Sequence, residues 1–265
     1  MHRKFVLGVE EFLGFADKCA KRGTVLTKTA RRTETSYSPF VEYQPWLVDS
    51  SSDSPAIPVL PETLLRLDLE AQERSVDLRA VSELVLSDLG ATLQILRLAG
   101  TEYWDSEFRP TRIEDCISDL GVQACLEAVS AETVARDSSY KVVAEAWAHS
   151  RGIAYHSRQI AEEMQDVNPD EAYMAGLLHA IGLLPSVLGW PSGNLSASDL
   201  ALAGLKLARK WSLPPFLIKF LGEMHEVQCT SQLPQIVRQA HLRSVRSSIH
   251  CPMEIGIGPL LYRTL

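Results

Sequence analysis

The stretch Glu171–Leu184, EAYMAGLLHAIGLL, restricts the fold of this chain more than any other part of it. Between Met174 and Pro185 every side chain except that of His179 is apolar or absent. Fully burying Leu177, Leu178, Ile181, Leu183 and Leu184 stabilises a fold by about 1.5–3 kcal/mol each. A helix that is apolar all round belongs in the middle of other helices, not on their surface. The run is too short for a bilayer, which takes about 20 apolar residues. Asn168-Pro169-Asp170 reads as the start of this helix and Pro185 as its stop. Gly176 and Gly182 leave room for neighbouring backbones to come close.

A core helix of this kind needs a shell, and the rest of the chain supplies helical patterns for one. Pro61 suits the first turn of a helix, Asp77 caps a second with Leu78, Val81, Leu84 and Val85 on one face, and Asp88 caps a third with Leu89, Leu93 and Leu96 inward. Arg112 to Leu120 forms a fourth helix that ends at Gly121, and Val122, Leu126, Val129 and Thr133 mark a fifth. A long helix runs from about Tyr140 to Gln165, with Gly152 inside it as a kink or a close contact. After the buried segment come helices over Asp199–Lys210, Pro214–Met224 and Ser231–Ser247, the last with Leu233, Ile236, Val237, Ala240 and Leu242 on or near one face. The first fifty residues differ. Phe5, Val9, Phe12, Leu13 and Ala16 fit an amphipathic helix, while Thr24–Thr27 and Phe40–Tyr43 are β-branched and aromatic, as in a short hairpin or extended arm. Residues 48–58 have linker composition. The expected architecture is all-α: an N-terminal helix and arm of mixed character over 1–54, a multi-helix bundle over 55–250, and a tail over 251–265 packing on the bundle.

Several functions are disfavoured at once. A net charge of −7 argues against non-specific nucleic-acid binding. No run of eighteen apolar residues predicts a membrane span, and Glu10, Glu11 and Asp17 spoil the N-terminus as a signal peptide. Cys19, Cys116, Cys125, Cys229 and Cys251 are scattered and form no C-x-x-C pair, so they read as reduced, cytosolic core thiols. No Gly-rich phosphate loop, nucleophile elbow or H-E-x-x-H occurs. Cys229 follows His225 by one helical turn, but no third group orients the pair. Glu10-Glu11, Glu162-Glu163 and the cluster Arg238, Arg243, Arg246 read as solvated helix faces.

Seven separated segments carry a family likeness: IPVLP at 57–61, SDLGATLQILRLA at 87–99, Ile113 to Gly121, WAHS at 147–150, AGLLHAIGLL at 175–184, WSLP at 211–214 and MHE at 224–226. Together they resemble the HDOD family, a relative of the HD metal-dependent phosphohydrolases, over roughly residues 55–250. The resemblance implies an HD-like helical bundle. HD chemistry needs a histidine, an adjacent His-Asp pair and a further aspartate to hold one or two divalent ions, which acidify a bound water and clamp a phosphate. His149 matches the first ligand, His179 the histidine of the pair, and His225 a histidine nearby. Ala180 stands at the aspartate, and its methyl group offers no lone pair. Asp199 is the nearest downstream acid, at a helix start where capping suits it better. His156 lies two turns from His149 on the same face and reads as a half-buried imidazole bonded to a neighbour. The resemblance therefore implies a vestigial site with no metal and no cofactor expected; were an ion held, His149, His179 and His225 would hold it. It also implies a non-catalytic, cytoplasmic, bacterial signalling regulator with a protein partner, no nucleic acid and no membrane, and self-association left open. Two other readings stand beside it: a phosphohydrolase acting on a nucleotide or cyclic dinucleotide with an altered ligand set, and a small-molecule sensor using the space beside His179.

Overall fold

Ile57 and Val59 lie in an extended entry segment and are fully buried. This computed structural model describes residues 56–73, 75–103, 110–131, 137–164, 166–190, 197–224 and 229–246. The helix expected at 5–22, the arm at 24–47 and the tail at 251–265 lie outside the described residues. Every regular element of the described residues is a helix, with no strand among them. The helices are α1 Pro61–Gln72, α2 Leu78–Leu86, α3 Leu89–Glu102, α4 Ile113–Leu120, α5 Val122–Ser130, α6 Asp137–Glu162, α7 Pro169–Leu178, α8 Leu184–Val187, α9 Ala197–Lys210, α10 Pro215–Glu223 and α11 Gln232–Arg246. No described helix is long and apolar enough to cross a membrane.

Local chemistry accounts for the helix ends. Asp77 accepts from the amides of Arg79 and Ala80, and Asn168 accepts from that of Asp170 ahead of Pro169. Gly121, at φ 86°, closes α4 and opens α5 within a single residue, a conformation that a side chain would strain. Helix α9 ends in a Schellman turn: the Leu213 amide donates to the Ala208 carbonyl and the Ser212 amide to that of Arg209, with Ser212 left-handed at φ 49°.

Two groups of helices pack together. In one, α3 lies against α4 and α5, and α2 against α1 and α4. In the other, α6 runs along α7, α11 covers both, and α9 with α10 closes over the turn after α7. Asp88 links the groups. It accepts from the Leu60 amide at 2.8 Å, the Ala91 amide at 3.1 Å and the Trp147 indole N–H at 3.0 Å. One buried carboxylate thus ties the entry segment, the start of α3 and the middle of α6.

The central segment is buried as its composition requires, but it is not one helix. Helix α7 stops at Leu178, a 3-10 turn covers Ile181–Leu183, and Pro185 sits in the first turn of α8 instead of ending α7. His179 supplies the reason. Its Nδ1 bonds the Gly176 carbonyl at 2.6 Å, and that carbonyl would otherwise accept the Ala180 amide in a continuing α-helix. The expected close approaches are present: a Cβ on Gly176 would lie 2.7 Å from the Ala154 Cα and the Ser157 Oγ, and the Gly204 backbone rests against Gly182. Gly152 is neither a break nor a contact, because α6 continues through it and a Cβ there would meet open space. Leu242 departs from the apolar stripe of α11 and is 58% exposed.

Candidate functional site: a buried triad of imidazoles

Three histidines far apart in sequence meet in the core. Helix α6 turns His149 inward together with Ser150, Ile153 and Ala154. His179 follows the last residue of α7. His241 lies on the buried face of α11 with Val237, Ala240 and Ser244. The three are 7%, 4% and 4% exposed. Ring centroids are 5.3 Å apart for His149–His179, 5.3 Å for His149–His241 and 4.7 Å for His179–His241. One ring nitrogen of each lies within 4.8 Å of the others.

Burial favours the neutral, lone-pair-bearing form of two of the rings. Burial lowers the His149 pKa to about 4. Burial and then the neighbouring His149 lower that of His241 to about 3. The bond from His179 Nδ1 to a carbonyl, which can only accept, places the proton on Nδ1 and leaves the lone pair of the neutral ring on Nε2. No carboxylate or thiol joins the group among the described residues.

Of the residues singled out in the sequence, the fold brings His149 and His179 together and sets the half-buried Ala180 beside them. His225 lies outside the described residues, as does its pairing with Cys229. His156 stays apart: its Nδ1 is 3.3 Å from Gln159 Oε1 and its ring meets Tyr155 edge-on. Asp199 falls in the first turn of α9. His241 was missed, although a signal existed. With Leu233, Ile236, Val237 and Ala240 it continues the helical spacing of an apolar face, which is an unusual place for an imidazole.

An all-imidazole set suits a single borderline ion such as zinc, nickel or cobalt, whereas magnesium and manganese favour oxygen. It provides no carboxylate to bridge two ions or to act as a general base. Among the described cysteines, Cys116 and Cys125 are buried and Cys229 is partly exposed, and burial pushes the Cys125 thiol up to about 11, away from the reactive thiolate.

A second feature is a cleft of about 390 Å³ among α2, α4, α6 and the start of α7. Asp170 on its wall pairs with Arg158 at 2.6 Å and Arg112 at 3.0 Å, and Arg158 lies 4.7 Å over the Tyr173 ring. Two faces read as solvated carry contacts of their own, and the Arg243–Glu163 pair among them is exposed. Arg243 makes two bonds to Glu163, at 2.8 and 3.1 Å, and Arg238 donates to the Met224 carbonyl at 2.9 Å. These contacts join α11 to its neighbours and leave no loose anion patch in Arg238 and Arg243.

Comparison with known proteins agrees with the helical fold. The model of the HDOD domain family matches residues 57–192. Among solved structures the chain is similar to the MmoQ response regulator of Methylococcus capsulatus str. Bath, with 21% identity over 79% of this chain and 92% of that one and a TM-score of 0.60. A structure of fragment 20–298 of the same regulator gives 21% identity, 79% and 89% coverage, and a TM-score of 0.55. At that identity the likeness concerns the fold. No curated protein matches.

Proposed function

The chain belongs to the HDOD domain family, and on that basis we propose that its helical bundle is a non-catalytic regulatory module that acts by binding another protein in a bacterial, cytoplasmic signalling pathway. One observation carries this reading. Where HD hydrolases hold a His-Asp pair, this chain has His179 followed by Ala180, and the ring nitrogens that gather there are joined by no carboxylate among the described residues. Phosphoryl hydrolysis at a metal needs oxygens that bridge or orient the ions and a base for the attacking water. Losing even a partner behind a ligand costs about 10–100-fold in affinity or activity. Burial of all three rings also leaves a phosphate little access to them. The fold shared with a protein described as a response regulator points the same way.

The face we assign to the partner is the cleft lined by Arg79, Arg112, Arg158, Asp170 and Tyr173. It mixes both charges with an aromatic ring, a composition suited to a polar protein segment.

Two measurements test the reading. Incubated with magnesium, manganese or zinc, the chain should turn over neither nucleotides nor cyclic dinucleotides above the buffer rate. Turnover that His179→Ala abolishes would establish the hydrolase instead. Purified from its own host, the chain should carry a protein partner at fixed stoichiometry. Arg79→Glu, on the exposed rim of the cleft, should weaken that complex roughly tenfold at low salt. A chain that elutes alone under every growth condition would sink the interaction reading.

A further inference from the structure

The outer side of α1 is a docking surface beyond the regulatory reading: we propose that the chain's own N-terminal segment, residues 5–16, lays its apolar stripe across Leu65 and Leu69. That segment has the spacing of an amphipathic helix and lies outside the described residues.

Helix α1 is apolar on two sides. Thr63 and Leu67 are buried and Leu64 packs against the core, so the bundle already covers the inner side. Leu65 and Leu69, one helical turn apart, are 61% and 56% exposed. Glu62 shares their side of the helix and accepts from the Tyr140 hydroxyl at 3.1 Å, which brings the exposed Tyr140 to the edge of the same face. A helix with leucines on both sides calls for a second cover.

Charge, spacing and reach all favour the N-terminal segment as that cover. Residues 61–73 carry Glu62, Asp68, Glu70 and Glu73 against Arg66 alone. Residues 1–32 carry eight Lys and Arg against three Asp and Glu, in a chain whose net charge is −7. A net acidic surface thus meets a net basic segment. Phe5, Val9, Phe12, Leu13 and Ala16 recur at the spacing of one helix face, the arrangement that packs against two leucines on successive turns of another helix. Arg3 and Lys4 precede the stripe, and Lys18, Lys21 and Arg22 follow it. Residues 17–55 join the stripe to the bundle, and at about 3.3 Å per residue they reach far beyond the length of α1. Tethering holds the segment at an effective concentration on the order of millimolar. A contact of a few side chains therefore suffices within one chain, where a free partner of the same chemistry would dissociate.

Hydrogen exchange of the full chain, read by mass spectrometry, tests the contact. It needs no partner or substrate, so it stands or falls separately from the regulatory reading. Amides of residues 5–16 should exchange at least about tenfold more slowly than in an unstructured chain of that sequence. An isolated helix of this length is marginal in water, so the protection reports the contact. Leu65→Asp combined with Leu69→Asp should restore unstructured rates at 5–16 and leave the protection of α6 and α7 unchanged. Phe12→Asp, which alters no residue of the bundle, should do the same. Unstructured rates at 5–16 in the unaltered chain would overturn the proposal, as would protection that survives both variants. Protection that is independent of protein concentration supports docking within one chain. Protection that disappears on dilution would assign the segment to a second copy of the chain and overturn the proposal equally.

Discussion

Asp88 and the buried imidazoles show how single residues of this protein carry several elements at once. Asp88 is fully buried, and desolvation raises its pKa while the Leu60 and Ala91 amides and the Thr63 hydroxyl draw it back part of the way. Removing it leaves the Leu60 and Trp147 N–H groups without their acceptor in the core, and each such orphan costs about 1–3 kcal/mol. Asp88→Ala should therefore lower unfolding stability by about 3 kcal/mol or more in urea titrations. A loss under 1 kcal/mol would show that water replaces the carboxylate. The imidazoles make a pH prediction. In the fold His149 and His241 titrate at about 4 and about 3, against 6.5 when unperturbed. The unfolded chain thus takes up protons first. The stability these rings contribute is complete above pH 6.5 and is lost as the pH falls through 4 toward 3. For His149 the loss is on the order of 3 kcal/mol, at about 1.4 kcal/mol per pH unit. The urea midpoint of chelator-treated chain should fall between pH 6.5 and 4, and His149→Gln should flatten that fall. An equally steep fall in the variant would rule out this ring as its source.

Helix existence was legible from periodicity and caps, because those signals are local. Asp77, Asp88 and Asn168 cap as read, the break at Gly121 falls where the sequence marks it, and the left-handed Ser212 lies between the helices read as ending at Lys210 and starting at Pro214. The break at His179 was not legible, since periodicity records which side chains are apolar and not that an imidazole takes a carbonyl from the backbone ladder. Two glycines test how far packing decides what a residue means. Gly176 lies where α7 meets Ala154 and Ser157 of α6, so a Cβ forces the helices apart. Gly176→Ala should cost about 1–3 kcal/mol. Gly152 faces open space within α6, so Gly152→Ala should stabilise by about 0.5–1 kcal/mol. Paired thermal denaturation curves check both, and equal effects of the same sign would refute the assignment of Gly176 to a tight contact.

At the scale of the whole molecule the fold is two helical groups joined through Asp88 and through α3 against α6. The entry segment belongs to that joint, because Ile57, Val59 and Leu60 are buried and the Leu60 amide reaches Asp88. We take residues from 55 onward as the autonomous unit. A chain starting at residue 55 should then unfold in one cooperative transition. A chain starting at Pro61 loses three buried side chains at about 1.5–3 kcal/mol each and should have no cooperative transition at 37 °C. Equal midpoints for the two chains would remove the entry segment from the core.

The chain by itself determined its class and its family, because apolar spacing, capping residues and short motifs act over a few residues and can be read one turn at a time. It also placed His149 and His179 and marked Ala180 as the departure from the HD pattern. Only the tertiary structure decided what surrounds His179. His241 lies 62 positions further along the chain, and no local pattern records that α11 folds back across α6 and α7 to bring a third imidazole against the other two.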